Sequence, residues 1–292
     1  MRCRRSGRRL PLVLATALTA ILLTGCQTPD VTPSDAPSPD ETPTPTASAE
    51  PSPTAQPVAG DLAIYSMLET GTELRLVREL HDVPEATPAA AVELMIAGPT
   101  DPDYLSPWNP ATRVLGVTLD AGTVIVDLSD EARTANIGSA GAALMIEQLI
   151  WTVTSAVGDP AAPVLLTIGG VPAGELWGAV VWDTPQVRGD ALVTRLLVQI
   201  DEPREGATSG SPVTVSGEAA VFEATLPWRV LDAAGTEVAS GFAMTAEGQT
   251  FSPFSFTVDL PPGTYSVVIT EDDPSDGEGR PPMSDSRTVT VG

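Results

Sequence analysis

The residue best suited to acid–base chemistry in this sequence is His81, the only histidine among 292 residues. It stands beside Asp82 at the end of a predicted strand, where a serine-histidine-aspartate arrangement can be imagined. Such a triad also needs an exposed nucleophile and an oxyanion hole, and the sequence has no GxSxG-type motif that would build them. We therefore interpret His81 as a solvated loop histidine, and the sequence predicts no catalytic residue.

A group of carboxylates, Asp127, Asp130 and Glu131, follows a predicted strand and could mimic the acid pair of a glycosidase. The alternative is structural: in Ser129-Asp130-Glu131 the serine would cap a helical turn, and the two acids would lie in its first turn, where the helix dipole favours negative charge. We favour the capping interpretation.

Metal and phosphate sites are poorly supported. The acidic run from Glu271 to Glu278 invites a calcium interpretation, but proline occupies the third position counted from Asp272, and no glutamate falls at the twelfth. An acidic hairpin loop is the better interpretation, with weak calcium binding left open. One histidine and two cysteines exclude a His/Cys zinc cluster, and a chain without lysine cannot form a GxxxxGK[ST] phosphate loop. We expect no metal and no cofactor.

The tryptophans offer one possible ligand contact. Trp108 lies in a Pro-Trp-Asn-Pro loop, and Trp177 and Trp182 flank a short apolar run. An exposed tryptophan can stack on a sugar ring, whereas most tryptophans cover the edge of a core. Glycan contact at Trp108 is kept as a possible role, beside the core interpretation.

Charge excludes one class of partner. The chain has 38 acidic residues against 15 arginines, a formal net charge of -23, and a sequence pI near 4.1. Five of the arginines lie in the first nine residues. The remaining body is strongly acidic and repels phosphate backbones, so we expect no nucleic-acid partner.

The N-terminus has the pattern of a lipoprotein signal peptide. A basic segment is followed by the apolar run LPLVLATALTAILL and then by Leu23-Thr24-Gly25-Cys26. This sequence resembles the lipobox of bacterial lipoproteins, which implies diacylglyceryl modification of Cys26 and cleavage between Gly25 and Cys26. The alternatives are an ordinary secretory signal and an uncleaved anchor. We expect residues 1–25 to be the signal and the protein to be lipid-anchored on the extracytoplasmic face of the cell membrane.

Residues 26–60 follow as the lipidated cysteine and a tether. Positions 27–60 contain nine prolines, ten serines or threonines, five acids and no aromatic residue. Such a stretch cannot bury enough apolar surface to offset its ordering entropy, and its prolines favour polyproline II. We expect a disordered linker; the sequence does not decide whether its threonines carry glycans.

The next segment, residues 61–188, predicts an α+β sandwich with two helices covering a small mixed sheet. Alternating runs at 62–68 and 73–80 predict a hairpin. Thr87-Pro88 predicts a helix start, and a longer helix is expected from Ser139 to Val157, followed by a buried strand at 163–168. The strands at 112–119 and 123–128 flank a predicted three-residue turn, Asp120-Ala121-Gly122.

Several of its segments, in order, resemble the sporulation and spore-germination domain called GerMN. They are LRLVREL-HDVP, AVELMIAGPT, TVIVDLSDEA, ALMIEQLIWTVTSA and VLLTIGGVPAGELWG, and they cover roughly 61–185. The resemblance implies a compact α/β domain related to ring-building modules of bacterial envelope machines. It implies no catalytic residues.

Residues 193–292 predict an all-β immunoglobulin-like sandwich without a disulfide. Seven short alternating runs are separated by turns, and we expect the aromatic core residues to be Phe222, Trp228, Phe242, Phe256 and Tyr265. The run SPVTVSGEAAVFEATLPWRVLDAAG, followed by PFSFTVDLPPG, resembles the immunoglobulin-like domain of bacterial spore germination over about 198–291.

Together these features predict a non-enzymatic, lipid-anchored envelope protein that binds or scaffolds envelope proteins or peptidoglycan through two modules on a flexible tether. Sporulation need not follow, because an arginine-only, Ala/Pro-rich chain suggests a GC-rich, non-sporulating actinobacterium. Two alternatives stay open: a wall-active glycan hydrolase that uses carboxylates, and a regulatory accessory of a membrane sensor or transporter. Oligomeric state is not predicted.

Overall fold

The computed structural model describes residues 59–71, 73–135, 137–272 and 278–292. The signal peptide, Gly25, Cys26 and the tether up to residue 58 therefore lie outside the described residues, as does most of the acidic loop predicted at 271–278. The described residues form one compact unit, within which two hydrophobic cores mark two domains.

The first domain is α+β. Its helices and strands are β1 (Gly60–Glu69), β2 (Leu74–Val83), α1 (Pro88–Ala97), β3 (Tyr104–Leu105), β4 (Val114–Asp120), β5 (Thr123–Leu128), α2 (Ser139–Val157), β6 (Val164–Ile168), β7 (Val171–Pro172), β8 (Gly174–Leu176) and β9 (Val180–Trp182). They form an antiparallel sheet in the order β2-β1-β3, a mixed sheet in the order β4-β5-β6-β7 and a separate β8-β9 hairpin. The single mixed sheet that we expected is thus divided.

Local sequence explains where α1 and α2 begin and end. The Thr87 hydroxyl accepts a hydrogen bond from the Ala90 amide at 3.1 Å, and Pro88 occupies the first helical position, as predicted. Helix α2 ends at Gly158 in the left-handed conformation. By length and composition α2 could cross a membrane, but most of it is buried within the first domain.

Helix α2 is buried on all sides from Gln148 to Thr154, and two residues of this stretch complete a strand edge. Strand β3 pairs with β1 only at Met67 and Leu68, so the backbone groups of Tyr65 need other partners. The hydroxyl of Thr152 accepts from the Tyr65 amide at 3.1 Å, and the Gln148 side-chain amide donates to its carbonyl at 2.9 Å. Two buried polar residues of α2 thus satisfy the edge of β1.

The β4–β5 turn differs from the prediction. The strands are connected by two residues, Ala121 and Gly122, with φ of 48° and 85°, because Asp120 already pairs with Thr123. Two consecutive residues with positive φ are typical of a type I′ hairpin turn, whose twist matches that of the strands. The three-residue turn that we predicted is therefore one residue shorter.

The second domain is a β-sandwich. After the short helix α3 (Ala191–Thr194), its strands are β10 (Val198–Glu202), β11 (Ala207–Ser209), β12 (Val213–Ala219), β13 (Thr225–Asp232), β14 (Glu237–Met244), β15 (Ser252–Val258), β16 (Gly263–Thr270) and β17 (Ser284–Val291). One sheet has the order β10-β12-β15 and the other the order β11-β17-β16-β13-β14. Strand β11, which pairs parallel to β17, is additional to the seven that we predicted.

The aromatic core of the sandwich was only partly predicted. Tyr265 is buried, and Trp228 stacks on Phe256 with ring centroids 4.7 Å apart. Phe242 and Phe222 are 73% and 40% exposed, so their assignment to the core was wrong. Phe242 falls on the outward face of β14, since it precedes the buried Ala243 and successive strand residues point to opposite faces.

Candidate functional site

The two domains meet along β2 and the segment that leads into β10. The Leu196 amide donates to the Leu76 carbonyl at 2.7 Å, and the Gln199 side-chain amide reaches the same carbonyl at 3.3 Å. A small buried apolar cluster joins the two sides; its members are Val77, Tyr104, Leu196 and Met283. We call this region the domain junction.

A buried polar network lies at the centre of the junction. Asp101 and Tyr104 come from the first domain, and Asp285 and Arg287 come from β17 of the second. One guanidinium nitrogen of Arg287, Nη1, lies 2.9 Å from the Asp101 carboxylate and 3.0 Å from that of Asp285. The Tyr104 hydroxyl donates to Asp285 at 2.6 Å. All four residues are less than 9% exposed, so these bonds form out of contact with water.

The carboxylates in this network have unusual protonation behaviour. Burial is the main cause that raises the pKa of Asp101, to about 6; the charges of Glu205 and Asp285 add to it, and Arg287 opposes it. Burial likewise raises the pKa of Asp285. Burial and the Asp285 charge raise the pKa of Tyr104 well above its usual value, so this phenol stays a hydrogen-bond donor.

A second ionic group crosses the junction nearby. Arg78 of β2 binds Asp201 through two bonds of 2.9 and 2.6 Å and pairs with Glu218 at 2.6 Å. Arg195 also pairs with Glu218, at 2.8 Å, and its guanidinium lies 3.9 Å from the Phe251 ring centroid. Burial disfavours the charge of Arg78, but the hydrogen bond to Asp201 and both carboxylates outweigh it and raise its pKa. The junction is thus joined by charge-assisted bonds from both sides.

Two clefts open beside the network. One of about 330 Å³ is lined by Glu69, Thr70, Asp103, Tyr104, Met283 and Ser286, among others. The other, of about 270 Å³, is lined by residues that include Glu79, His81, Asp201, Arg204, Glu205 and Arg287. Within the described residues, no three His, Cys, Asp or Glu side chains are grouped as a metal site would require.

His81 lies within β2 and not in a loop, so the solvated-loop interpretation was wrong. Its side chain is mostly buried, with Nε2 3.8 Å from the Glu79 carboxylate and without a hydrogen bond in the described structure. Asp82 is exposed, and adjacent strand residues point to opposite faces. The histidine and the aspartate therefore cannot act as a catalytic pair.

The predicted carboxylate group has structural roles. Asp127 accepts hydrogen bonds from the Thr167 hydroxyl and the Gly170 amide, both at 2.8 Å, and so connects β5 to the β6–β7 turn. Asp130 and Glu131 begin a short 3-10 turn after Ser129, as the capping interpretation predicts, but the serine hydroxyl accepts from the Arg113 amide and not from that turn. A hydrogen bond with Ser129 lowers the pKa of Glu131.

Trp108 is a core residue. It is 3% exposed, its indole nitrogen donates to Gln148 at 3.1 Å, and its ring meets the Trp177 edge at 5.6 Å. A buried indole cannot stack on a sugar, so the possible ligand contact at Trp108 was wrong. Trp182 is also fully buried.

Three exposed apolar side chains of the second domain lie on β14, at the edge of the five-stranded sheet. Phe242 and Met244 are 73% and 62% exposed and lie on one face of the strand, and Val238, which is 48% exposed, lies at a register shift between β13 and β14. Beside them is a cleft of about 480 Å³ to which Pro227, Arg229 and Phe242 contribute. We call these three apolar residues and this cleft the β14 face.

Sequence reasoning did not find the junction network, although one signal was available. Asp285 and Arg287 share a strand face with Val289 and Val291, all four being buried, so two charges continue an apolar face. Charged residues in such positions need partners from elsewhere in the fold. Asp101 and Tyr104, in a proline-rich loop and a two-residue strand, gave no comparable signal.

Comparisons with known proteins agree with this division. A family model described as sporulation and spore germination matches residues 63–174, and one described as the immunoglobulin-like domain of bacterial spore germination matches residues 197–278. Neither family is an enzyme family by its description. A search of curated proteins found no significant match.

A search of solved structures found matches to domains of a sporulation protein. The tandem GerMN domains of the sporulation protein GerM from Bacillus subtilis share 15% identity over 49% of this chain and 50% of that one, with a TM-score of 0.37. The first GerMN domain of that protein shares 19% identity over 45% of this chain and 97% of its own length, with a TM-score of 0.35. This chain thus spans about half the length of the tandem protein.

Proposed function

This chain joins a sporulation and spore-germination domain to an immunoglobulin-like domain of bacterial spore germination, and from this premise we propose that it is a non-enzymatic, lipid-anchored protein of the cell envelope that binds a protein partner. Two features support binding over catalysis. Asp127 is held by structural hydrogen bonds and His81 cannot pair with Asp82, whereas the second domain presents the β14 face to solvent.

The β14 face is the observation that carries the proposal. An edge strand offers unpaired backbone groups to any extended segment that approaches it, and proteins usually protect such edges with lysine, proline or charge. After Glu237 and the register shift at Val238, the rest of this strand has no lysine, proline or charge, and its two most exposed apolar side chains are Phe242 and Met244. An extended segment of another envelope protein would add to the edge and cover Phe242.

Photo-crosslinking in intact cells tests the partner. A photoreactive amino acid in place of Phe242 should crosslink to a discrete protein, whereas the same group in place of Thr214, which is exposed on the other sheet, should not. Mass spectrometry would identify the partner as a scaffold, a sensor or a transporter. Recovery of peptidoglycan fragments alone, or equal crosslinking at both positions, would contradict a protein-binding role for the β14 face.

The lipid anchor has a separate test. Cys26→Ala removes the thiol that lipidation and cleavage after Gly25 require, so the variant should appear in the medium or remain as a longer precursor. Cys3→Ala is the matched control, because Cys3 lies within the expected signal and should change neither size nor location. Membrane partition and mass should be compared for both variants. An unchanged Cys26→Ala protein would refute the anchor but not the binding role.

A further inference from the structure

We propose that the domain junction is a proton-controlled latch, which is closed when Asp101 holds a proton beside Asp285 and Arg287 and which loosens when that proton leaves. This inference does not depend on the lipid anchor or on the partner at the β14 face. It rests on the composition and geometry of the buried network that joins the two domains.

The network has one more negative group than it can neutralise. The carboxylates of Asp101 and Asp285 both contact Nη1 of Arg287, and all three side chains are 2% exposed or less. With both acids ionised, the closed junction would bury one uncompensated negative charge, which is strongly unfavourable away from water. One proton removes that charge and keeps the ion pair between the remaining carboxylate and the guanidinium.

The hydrogen bonds assign the proton to Asp101. The two oxygens of Asp285 accept from four donors: the Tyr104 hydroxyl, the Ile200 amide, the Ser286 amide and Arg287. Among the described residues, the Asp101 carboxyl accepts from the Asp103 amide and from Arg287, one bond to each oxygen. Four donors stabilise the charged form of Asp285 more than two donors stabilise that of Asp101, so the proton is assigned to Asp101.

Three charged neighbours act on Asp101 and fix the direction of the effect, and further titratable groups line the two clefts beside the network. Glu205 and Asp285 raise the pKa of Asp101, and Arg287 lowers it. The titratable and charged residues around the network are Glu79 and His81 on β2, Asp103 and Tyr104 before and on β3, Arg204 and Glu205 after β10, and Asp285 and Arg287 on β17.

The sign of the pH effect follows from linkage. The pKa of Asp101 is about 6 in the closed junction, whereas a solvated aspartate has a value near 3.8. Closure therefore takes up a proton, and the stability that it contributes is complete below about pH 3.8 and is lost as the pH rises through about 6. The gap of about two pKa units corresponds to a change of about a hundred-fold in the ratio of closed to open junctions.

Hydrogen exchange on the full chain tests the latch. Asp101→Asn is the neutral mimic, because an amide, like a protonated carboxyl, has one donor and one acceptor end. At each pH the exchange rates of the Tyr104 and Ile200 amides in the natural chain should be divided by those in this variant, which cancels the intrinsic pH dependence. We expect this ratio to rise about fifty-fold from pH 4 to pH 7 and then to level off.

Two comparisons make the test specific. The core amide of Val126 in β5 should show a much smaller change, because it lies outside the junction. Glu205→Gln removes a neighbouring charge that raises the Asp101 pKa, so the rise in exchange rate should end at a lower pH than in the natural chain. If Asp101→Asn fails to fold, the comparison of Glu205→Gln with the natural chain is the test. A flat ratio, or a Glu205→Gln profile identical to that of the natural chain, would overturn the latch.

Discussion

Arg287→Ala is expected to lower the free energy of unfolding by about 3–5 kcal/mol at pH 5, where the junction is closed. The guanidinium is buried and contacts Asp101, Asp285 and the Ile200 carbonyl. Its removal leaves the Asp285 carboxylate buried without its cation, and the protonated Asp101 beside it cannot neutralise that charge. Urea unfolding followed by tryptophan fluorescence measures the loss.

The matched control for this variant is Arg229→Ala. Arg229 lies on β13 and is exposed, so its replacement should change the free energy of unfolding by less than about 0.5 kcal/mol. Because Arg287 and Asp285 are in contact, Arg287→Met combined with Asp285→Asn should cost less than the sum of the two single changes. Equal effects of Arg287→Ala and Arg229→Ala would show that the network contributes no stability.

Gly217→Ala is expected to have a comparable effect, about 3 kcal/mol or more, for a steric reason. Gly217 on β12 pairs with Ile200 on β10, and a Cβ atom there would lie 1.9 Å from the Gln199 carbonyl oxygen and 3.0 Å from the Phe254 ring. A backbone atom cannot turn aside as a flexible side chain can. The alanine therefore has to separate β10 from β12, and β10 adjoins the domain junction.

Gly116→Ala is the control for this second prediction. Gly116 also lies in a strand, β4, but a Cβ atom there would meet nothing within 4 Å, and its φ is not in the left-handed region. The alanine should leave stability unchanged or raise it by about 0.5 kcal/mol, because it reduces the freedom of the unfolded chain. Thermal and urea unfolding of the two variants measure the contrast, and a Gly217→Ala protein as stable as Gly116→Ala would contradict the steric argument.

The sequence determined the elements and the two-domain organisation of this protein. Thr87-Pro88 and Gly158 mark helix ends through local backbone chemistry, and the alternating runs of the second half predict a sandwich because each strand buries one face. The resemblance to the two spore-germination domains depends on the same local patterns, and the family models confirm it.

Only the tertiary structure decided which individual side chains are buried and which groups meet. Trp108 and Phe242 are both large aromatics near turns or strand ends, yet one is 3% exposed and the other 73%. Trp108 is buried against Gln148 of α2, and Phe242 is exposed because β14 is an edge strand. Each outcome depends on how elements that are distant in sequence pack together. The repeat of apolar residues, with a period of 2 in strands and 3.6 in helices, indicates which face of an element is buried. It does not indicate which other element packs against that face.

The domain junction shows the same limit most clearly. Asp101 and Arg287 are separated by 186 residues, and their contact requires that two independently patterned domains dock along β2 and β10. Local sequence fixes an element through bonds between near neighbours, which is why helix caps and strand alternation could be predicted. A buried charge depends on the whole surroundings through desolvation and long-range pairing, so the pKa of Asp101 and the latch that it implies follow only from the folded chain.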